Sequence, residues 1–172
     1  MEAMEAMDHD AYSDTFIRGV LSDVKSIAMV GASANWNRPS FFAMKYLLQK
    51  GYRVHPINPA ADGARILNQT VYADLEDVPA PVDMVDIFRP ASEAGAIVDE
   101  AIRLAPEKGI RVVWMQLGVR DDAAAARAEA AGLTAVMNRC PKIEYARLYG
   151  ELGWNGFNSG VISSKRRRIG ER

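Results

Sequence analysis

The 172-residue sequence predicts an α/β fold: a doubly wound, mostly parallel five-stranded sheet within three layers. Three observations carry this prediction. Five short apolar runs, at residues 27–30, 53–57, 84–88, 110–115 and 134–137, alternate with segments of helical spacing. The connections are long enough for crossover helices, and right-handed crossovers put such helices on both faces of a parallel sheet. The first run breaks on Gly31, ahead of a small polar loop and a proline-started helix, the pattern with which phosphate sites begin.

Each element has its own warrant. Tyr12, Phe16, Ile17, Val20, Leu21 and Val24 recur at helical spacing, so the opening helix lays one apolar face on the domain. Ile27-Ala28-Met29-Val30 carries no polar residue, as a strand covered on both faces requires. At Gly31 the backbone turns sharply where a side chain would obstruct the turn or a ligand. Pro39 fits the first turn of the second helix, where its missing N–H costs nothing. Phe41, Phe42, Met44, Tyr46, Leu47 and Leu48 extend this helix to a cap at Gly51.

The second strand, 53–57, closes on Asn58-Pro59. The stretch from Ala60 to Pro81 is mixed: a connector through 63–67, an extended piece at 70–72 and a helical turn around 75–78. After the third strand, a helix from Ala91 to Ala105 buries Ala94, Ile97, Val98, Ala101 and Ile102. The fourth strand leads to an alanine-rich helix over 122–131, capped by Gly132. The fifth strand precedes a last helix over 143–152.

Composition narrows the function classes. Apolar residues make up 49% of the chain, enough at this length to bury a core without staples. The net charge of −1 provides no global field for nucleic acid or a membrane surface. The acidic start (Glu2, Glu5, Asp8, Asp10, Asp14) and the basic Lys165-Arg166-Arg167-Arg168 read as solvated tails. A single cysteine, Cys140, excludes an internal disulfide and fits a reducing compartment. No apolar stretch approaches about 18 residues and no leader-like start is present, so the expected location is cytoplasmic. One domain is expected over residues 1–152. In the tail, 153–172, Trp154-Asn155-Gly156-Phe157-Asn158 is a candidate contact for a second copy or a protein partner.

In a doubly wound sheet, ligands bind beyond the carboxyl ends of the strands, where strand order reverses. The glycine loop here lacks G-x-G-x-x-G, and the second strand ends on Ile57-Asn58-Pro59 rather than on an acid for a ribose hydroxyl, which disfavours a nicotinamide cofactor. No Walker pattern is present, so nucleoside triphosphate hydrolysis has no support. The loop does offer the hydroxyls of Ser33 and Ser40, the amides of Asn35 and Asn37, and the guanidinium of Arg38, a set suited to a phosphorylated ligand. The competing reading makes Arg38 a surface charge and Ser40 a helix cap. Arg89, at a strand end, is a second phosphate candidate or an outward surface arginine.

Catalytic signals are sparse, and no catalytic set or metal-ligand spacing stands out. His55 sits within an apolar strand. Asp83 and Asp86 point to opposite sheet faces and form no acid/base pair. Cys140, flanked by Arg139 and Lys142 that favour its thiolate, is either a reactive thiol or a small buried hydrophobe.

These residues resemble a known family: small CoA-binding proteins with a Rossmann-like domain similar to the amino-terminal domain of the succinyl-CoA synthetase alpha subunit. The resemblance runs from Ile17 to Leu148. It rests on Val30-Gly31-Ala32-Ser33, Arg38-Pro39-Ser40, Gly51-Tyr52-Arg53-Val54-His55-Pro56-Ile57-Asn58-Pro59, residues 83–90, Trp114-Met115-Gln116-Leu117-Gly118 and Met137-Asn138-Arg139-Cys140-Pro141-Lys142. It implies that coenzyme A lies across the carboxyl edge of the sheet. Ser33-Ala34-Asn35-Trp36 with Arg38 would hold phosphates, between Gly31-Ala32 and Pro39-Ser40. Asn58 and Pro59 would border the adenosine side. Phe88-Arg89-Pro90 with Gln116-Leu117-Gly118 would line the nucleotide and pantetheine path, with Cys140 near the thiol end.

The sequence also departs from the synthetase pattern. Only His9 and His55 are present, and neither is placed to be the synthetase's phosphorylated histidine. The synthetase's lysine after the second strand has no counterpart among Ala60, Ala61 and Asp62. The expected function is therefore a non-catalytic module for CoA or a short acyl-CoA. The alternative is an acyl-CoA- or NAD(P)-dependent enzyme with Cys140 as acyl acceptor.

Overall fold

The computed structural model describes residues 6–150. In chain order the elements are α1 (Asp14–Asp23), β1 (Ser26–Val30), α2 (Pro39–Gln49), β2 (Arg53–Ile57), β3 (Arg65–Ile66), β4 (Gln69–Thr70), β5 (Met84–Ile87), α3 (Ala91–Lys108), β6 (Val112–Met115), α4 (Asp122–Ala130), β7 (Thr134–Val136) and α5 (Pro141–Leu148). Single turns of 3-10 helix occupy Pro59–Ala61 and Leu75–Asp77. The tail from residue 153, with its aromatic and basic segments, lies outside the described residues.

Five strands form one parallel sheet in the order β2-β1-β5-β6-β7. Alternation sorts each apolar run onto two faces. Ile27, Met29, Met84, Val112, Trp114 and Val136 meet α1 and α2 on one face, whereas Ala28, Val85, Ile87, Val113, Met115 and Ala135 meet α3 and α4 on the other. The result is the predicted three-layer α/β architecture. The chain runs from β1 outward to β2, then returns to β5 on the other side of β1, so the strand order reverses between β1 and β5.

The structure corrects the sequence reading at three places. The expected connector over 63–67 contains β3, which pairs antiparallel with β4 in a small hairpin. Leu67 and Asn68 take positive φ at its turn, a conformation that periodicity does not report. The long helix passes Ala105 and runs through Pro106 to Lys108. In a last turn, proline removes one bond without ending the helix. Gly109 closes the helix by donating to the Ala105 carbonyl, and the Lys108 ammonium donates to the carbonyls of Glu76 and Val78 at 2.8 and 2.6 Å. The last helix begins at Pro141, not at residue 143, because extended Cys140 occupies the cap position and Pro141 the first turn; it ends at Leu148.

Lys108 is thus a buried peg joining α3 to the turn at 75–77. Lys108→Met keeps the stem but leaves two carbonyls without their donor, and should destabilise the fold by about 1–3 kcal/mol. Urea denaturation measures this, and an unchanged midpoint would remove the peg.

An N-terminal segment straps across the end of β7. Tyr12 Oη accepts from the Met137 N–H at 2.8 Å, His9 bridges Tyr12 Oη and Glu129 Oε1 at 2.7 and 2.6 Å, and the Arg139 guanidinium lies 4.9 Å from the Tyr12 ring centroid.

Candidate functional site

The carboxyl ends of β1, β2, β5 and β6 open onto a cavity of about 1440 Å³. Its floor is the crevice where strand order reverses. There β1 ends on Gly31, whose N–H and that of Ala32 both donate to the Ile57 carbonyl, at 3.1 and 3.2 Å. Beside it, Phe88 N–H donates to Val30 at 2.8 Å, which brings the two strand-end loops together.

Three helices begin at this cavity, and their caps differ from those elsewhere. α1 and α4 carry side-chain caps, Ser13 on the Phe16 N–H and Asp121 on the Ala124 N–H. α2, α3 and α5, whose cap residues Arg38, Pro90 and Cys140 all line the cavity, have no side-chain cap hydrogen bond. Uncapped helix starts leave N–H groups and the positive end of the peptide dipoles available to an anion.

The structure brings most of the expected residues to this wall. Gly31, Ala32 and Ser33, then Arg38, Pro39 and Ser40, then Asn58 and Pro59, all line it, as do Phe88, Arg89 and Pro90, Gln116, Leu117 and Gly118, and Cys140. Ala34, Asn35 and Trp36 do not, and Trp36 is 66% exposed on the outer side of the loop. The loop is held from within: Ser33 Oγ accepts from the Asn35 N–H, and Asn35 Oδ1 accepts from the Asn37 N–H. Asn58 ties it to β2, donating to the Ala32 carbonyl at 3.0 Å and accepting from the Ala60 N–H at 2.9 Å.

The basic residues are placed differently from one another. Arg38 forms no ion pair with any described residue, whereas Arg89 is held in a two-pronged pair by Glu93, four residues on. That pair lies in solvent at the rim and keeps Arg89 turned along α3. Ser40 is buried in the first turn of α2 and is not its cap, the position Arg38 occupies.

Electrostatics beneath the cavity overturn one expectation and qualify another. Burial pushes the Cys140 thiol up; the N–H groups of Ile143 and Lys142 and the Lys142 charge favour the thiolate but do not outweigh it. Arg139 turns instead toward Tyr12 and donates to the Asn138 carbonyl. Burial also lowers the Lys142 pKa, the ammonium lying over the Phe42 and Tyr46 rings at 5.5 and 5.6 Å. Asp83 and Asp86 do form no pair, but they differ sharply. Asp83 precedes β5 and accepts from the Lys25 and Ser26 N–H groups. Asp86 is 0% exposed, with Oδ1 accepting from Gln116 Nε2 at 2.9 Å and Oδ2 without a donor. Burial pushes its carboxyl up to about 7, against the Gln116 hydrogen bond.

Several wall residues fall outside the sequence expectation. Glu93, Ala96, Ile97 and Glu100 form a stripe along α3, and Asp74 and Leu75 face them from the loop after β4. The three-and-four spacing of that stripe directly after a strand end is the signal that locates it. Burial, then the nearby Asp74 charge, raises the Glu100 pKa. Among the described residues no group of His, Cys, Asp and Glu can hold a metal ion, and no helix is long and apolar enough to cross a membrane.

Comparison with known proteins matches this architecture. The chain is 36% identical to a hypothetical protein from Pyrococcus horikoshii OT3 of known structure, with a TM-score of 0.75 over 86% of this chain and 100% of that one. It is 29% identical over 130 residues to the uncharacterized protein YneT of Bacillus subtilis (strain 168), covering 76% of this chain and 92% of that protein. It is 37% identical over 89 residues to the ADP-forming acetate–CoA ligase II of Archaeoglobus fulgidus, covering 51% of this chain and only 12% of the ligase. The model of the CoA binding domain matches residues 25–146, which include every strand of the parallel sheet and every wall residue of the cavity. On that match this chain belongs to the CoA-binding domain family.

Proposed function

We propose that this protein binds coenzyme A, or a short acyl-CoA, reversibly in the cavity at the carboxyl edge of its sheet, as a binding module. The carrying observation is the contrast in helix caps: the three helices that begin at the cavity are uncapped, and the two that begin elsewhere are capped. Coenzyme A bears a diphosphate and a ribose 3′-phosphate, and fixed N–H donors with an unpaired arginine favour such groups. Arg38 and the start of α2 would hold phosphate, Asn58 and Pro59 would border the adenosine, and Gln116-Leu117-Gly118 would lead the pantetheine arm toward Cys140. Family membership and the ligase similarity support this reading.

Thermal unfolding with CoA, 3′-dephospho-CoA, NAD and NADP in parallel tests it. A ligand at 100 times its Kd adds about 2.7 kcal/mol, a rise on the order of 5–10 °C for a chain of this size. The expected result is a rise with CoA, a smaller one with the dephospho form and none with NAD or NADP. A rise with NAD or NADP alone overturns the proposal. Arg38→Ala should weaken CoA binding roughly 10- to 100-fold, as loss of a charge-assisted contact does; unchanged affinity by calorimetry would remove Arg38 from the site.

A further inference from the structure

The strap that contains His9, Asp10 and Tyr12 lies outside the span that matches the CoA binding domain, 25–146, yet it grips the loops that form one wall of the cavity. Residues 116–119, after β6, and Cys140 with Lys142, after β7, line that wall. The two loops are fastened to each other. Asn138, at a positive φ of 55°, donates its N–H to the Val119 carbonyl at 3.1 Å, and its Oδ1 accepts from the Gly118 N–H at 2.8 Å. The Arg139 N–H donates to the Met115 carbonyl at 3.2 Å, and the Arg139 carbonyl accepts from Trp114 Nε1 at 2.9 Å. A shift of residues 137–139 therefore carries 116–119 with it.

The strap is what fixes residues 137–139. β7 is the last strand of the sheet, so no further strand is there to accept from the Met137 N–H. Met137 is fully buried, and an N–H left unmatched there bears the full cost of its desolvation. The Tyr12 hydroxyl accepts from it. Burial raises the Tyr12 pKa, so the hydroxyl keeps its own proton and donates it to His9 Nδ1. The imidazole proton then sits on Nε2, facing Glu129 of α4. Asp10 adds two further ties, its carboxylate to Arg120 and its carbonyl to the Arg139 guanidinium, which also lies over the Tyr12 ring.

We infer that Tyr12 is a positioning residue for the cavity: through the Met137 N–H it holds the loops after β6 and β7 at the spacing the bound ligand requires. This rests on the reading that the cavity binds CoA. Without the hydroxyl, the Met137 N–H reaches a partner only if residues 137–139 swing out to water, and the wall at Gly118 and Val119 moves with them. The ligand-ready cavity is then held by a smaller fraction of chains, and the apparent affinity falls by that fraction. None of His9, Asp10 and Tyr12 lines the cavity, so an affinity change on altering Tyr12 is not the loss of a ligand contact. The coupling is reciprocal: a bound ligand in turn holds the strap closed.

Tyr12→Phe removes only the hydroxyl and keeps the ring beside Arg139. Calorimetry with CoA, at a temperature where circular dichroism shows the variant folded, should give a Kd roughly 5- to 50-fold above that of the unaltered chain. Without ligand, amide hydrogen exchange should quicken at Gly118 and Asn138 and stay the same at Ile27 and Met29 in β1. A general loss of stability would quicken the β1 amides as well. In the unaltered chain, CoA should slow exchange of the Met137 amide more than that of Ile27, a readout that needs no variant. An equal Kd, equal exchange at Gly118 and Asn138, or Met137 exchange indifferent to CoA each overturns the inference. The two levels separate in the same titration. If the unaltered chain binds CoA and Tyr12→Phe binds it equally, this inference falls alone; if the unaltered chain does not bind CoA, the proposed function falls and this inference with it.

Discussion

Asp86→Asn should make the protein more stable at pH 8, by about 2–4 kcal/mol. The carboxyl is buried, has one unmatched oxygen and titrates near 7 in the folded chain against 3.8 for an ordinary aspartate. A folded-state pKa above the unfolded value means that the native chain holds a proton which the unfolded chain has released. This group's contribution to stability is therefore fully present below about pH 4 and is lost as pH rises through 7. Asparagine fills the same volume without a charge and escapes this loss, so the two proteins should differ most at pH 8 and converge as pH falls through 5. Urea denaturation at both pH values measures the gap, and equal stabilities at pH 8 would show that Asp86 is not a strained carboxyl.

Asp86 also marks where the sequence is legible and where it is not. Strand runs were readable because a sheet covered on both faces demands unbroken apolar residues, and 27–30 and 84–87 satisfy this almost entirely. The break in that rule, an aspartate within Met84-Val85-Asp86-Ile87, was visible, but its partner was not: Gln116 lies 30 positions on and meets it only after the crossover through α3. Likewise, the helix start at Pro39 follows from proline's fixed φ, whereas helical spacing alone puts the last start at residue 143 rather than at Pro141. That the starts of α2, α3 and α5 converge on one cavity is a property of strand order. Arg89 was readable as a strand-end cation but not as the partner of Glu93, since an ion pair four residues apart depends on where the helix begins.

Gly31→Ala should destabilise the fold by roughly 2–5 kcal/mol and weaken CoA binding beyond what the loss of folded protein explains. Two terms add. The residue sits at φ 89°, where an L side chain is strained by about 1–2 kcal/mol. A Cβ built there would also overlap the Phe88 carbonyl oxygen and approach Arg89 Cδ to 2.9 Å. Relief of that contact requires the β5 end to move away from β1, and with it the Phe88-Arg89-Pro90 wall. Gly118→Ala isolates the first term, because Gly118 has a similar φ of 80° and nothing within 4 Å of its Cβ position. The Gly118 variant should lose about 1–2 kcal/mol. If Gly31→Ala lost no more than this in urea denaturation, the close approach of the two strand ends would not be the constraint.

The strap from His9 to Tyr12 has a counterpart at the opposite margin of the sheet, and together they bear on self-association. A margin strand with free N–H and C=O groups is a template on which another chain can extend the sheet. On one margin, β2 carries Pro56, which has no N–H, and its carbonyl accepts from Tyr72 while Asn58 N–H donates to the Tyr72 carbonyl. On the other, β7 is only three residues long, and the N–H that follows it is taken by Tyr12. Among the described residues, neither margin offers a run of unpaired backbone long enough to template a further strand. Strand addition at either margin is thereby disfavoured, which leaves helix faces and side chains as the surfaces through which described parts of two copies would join.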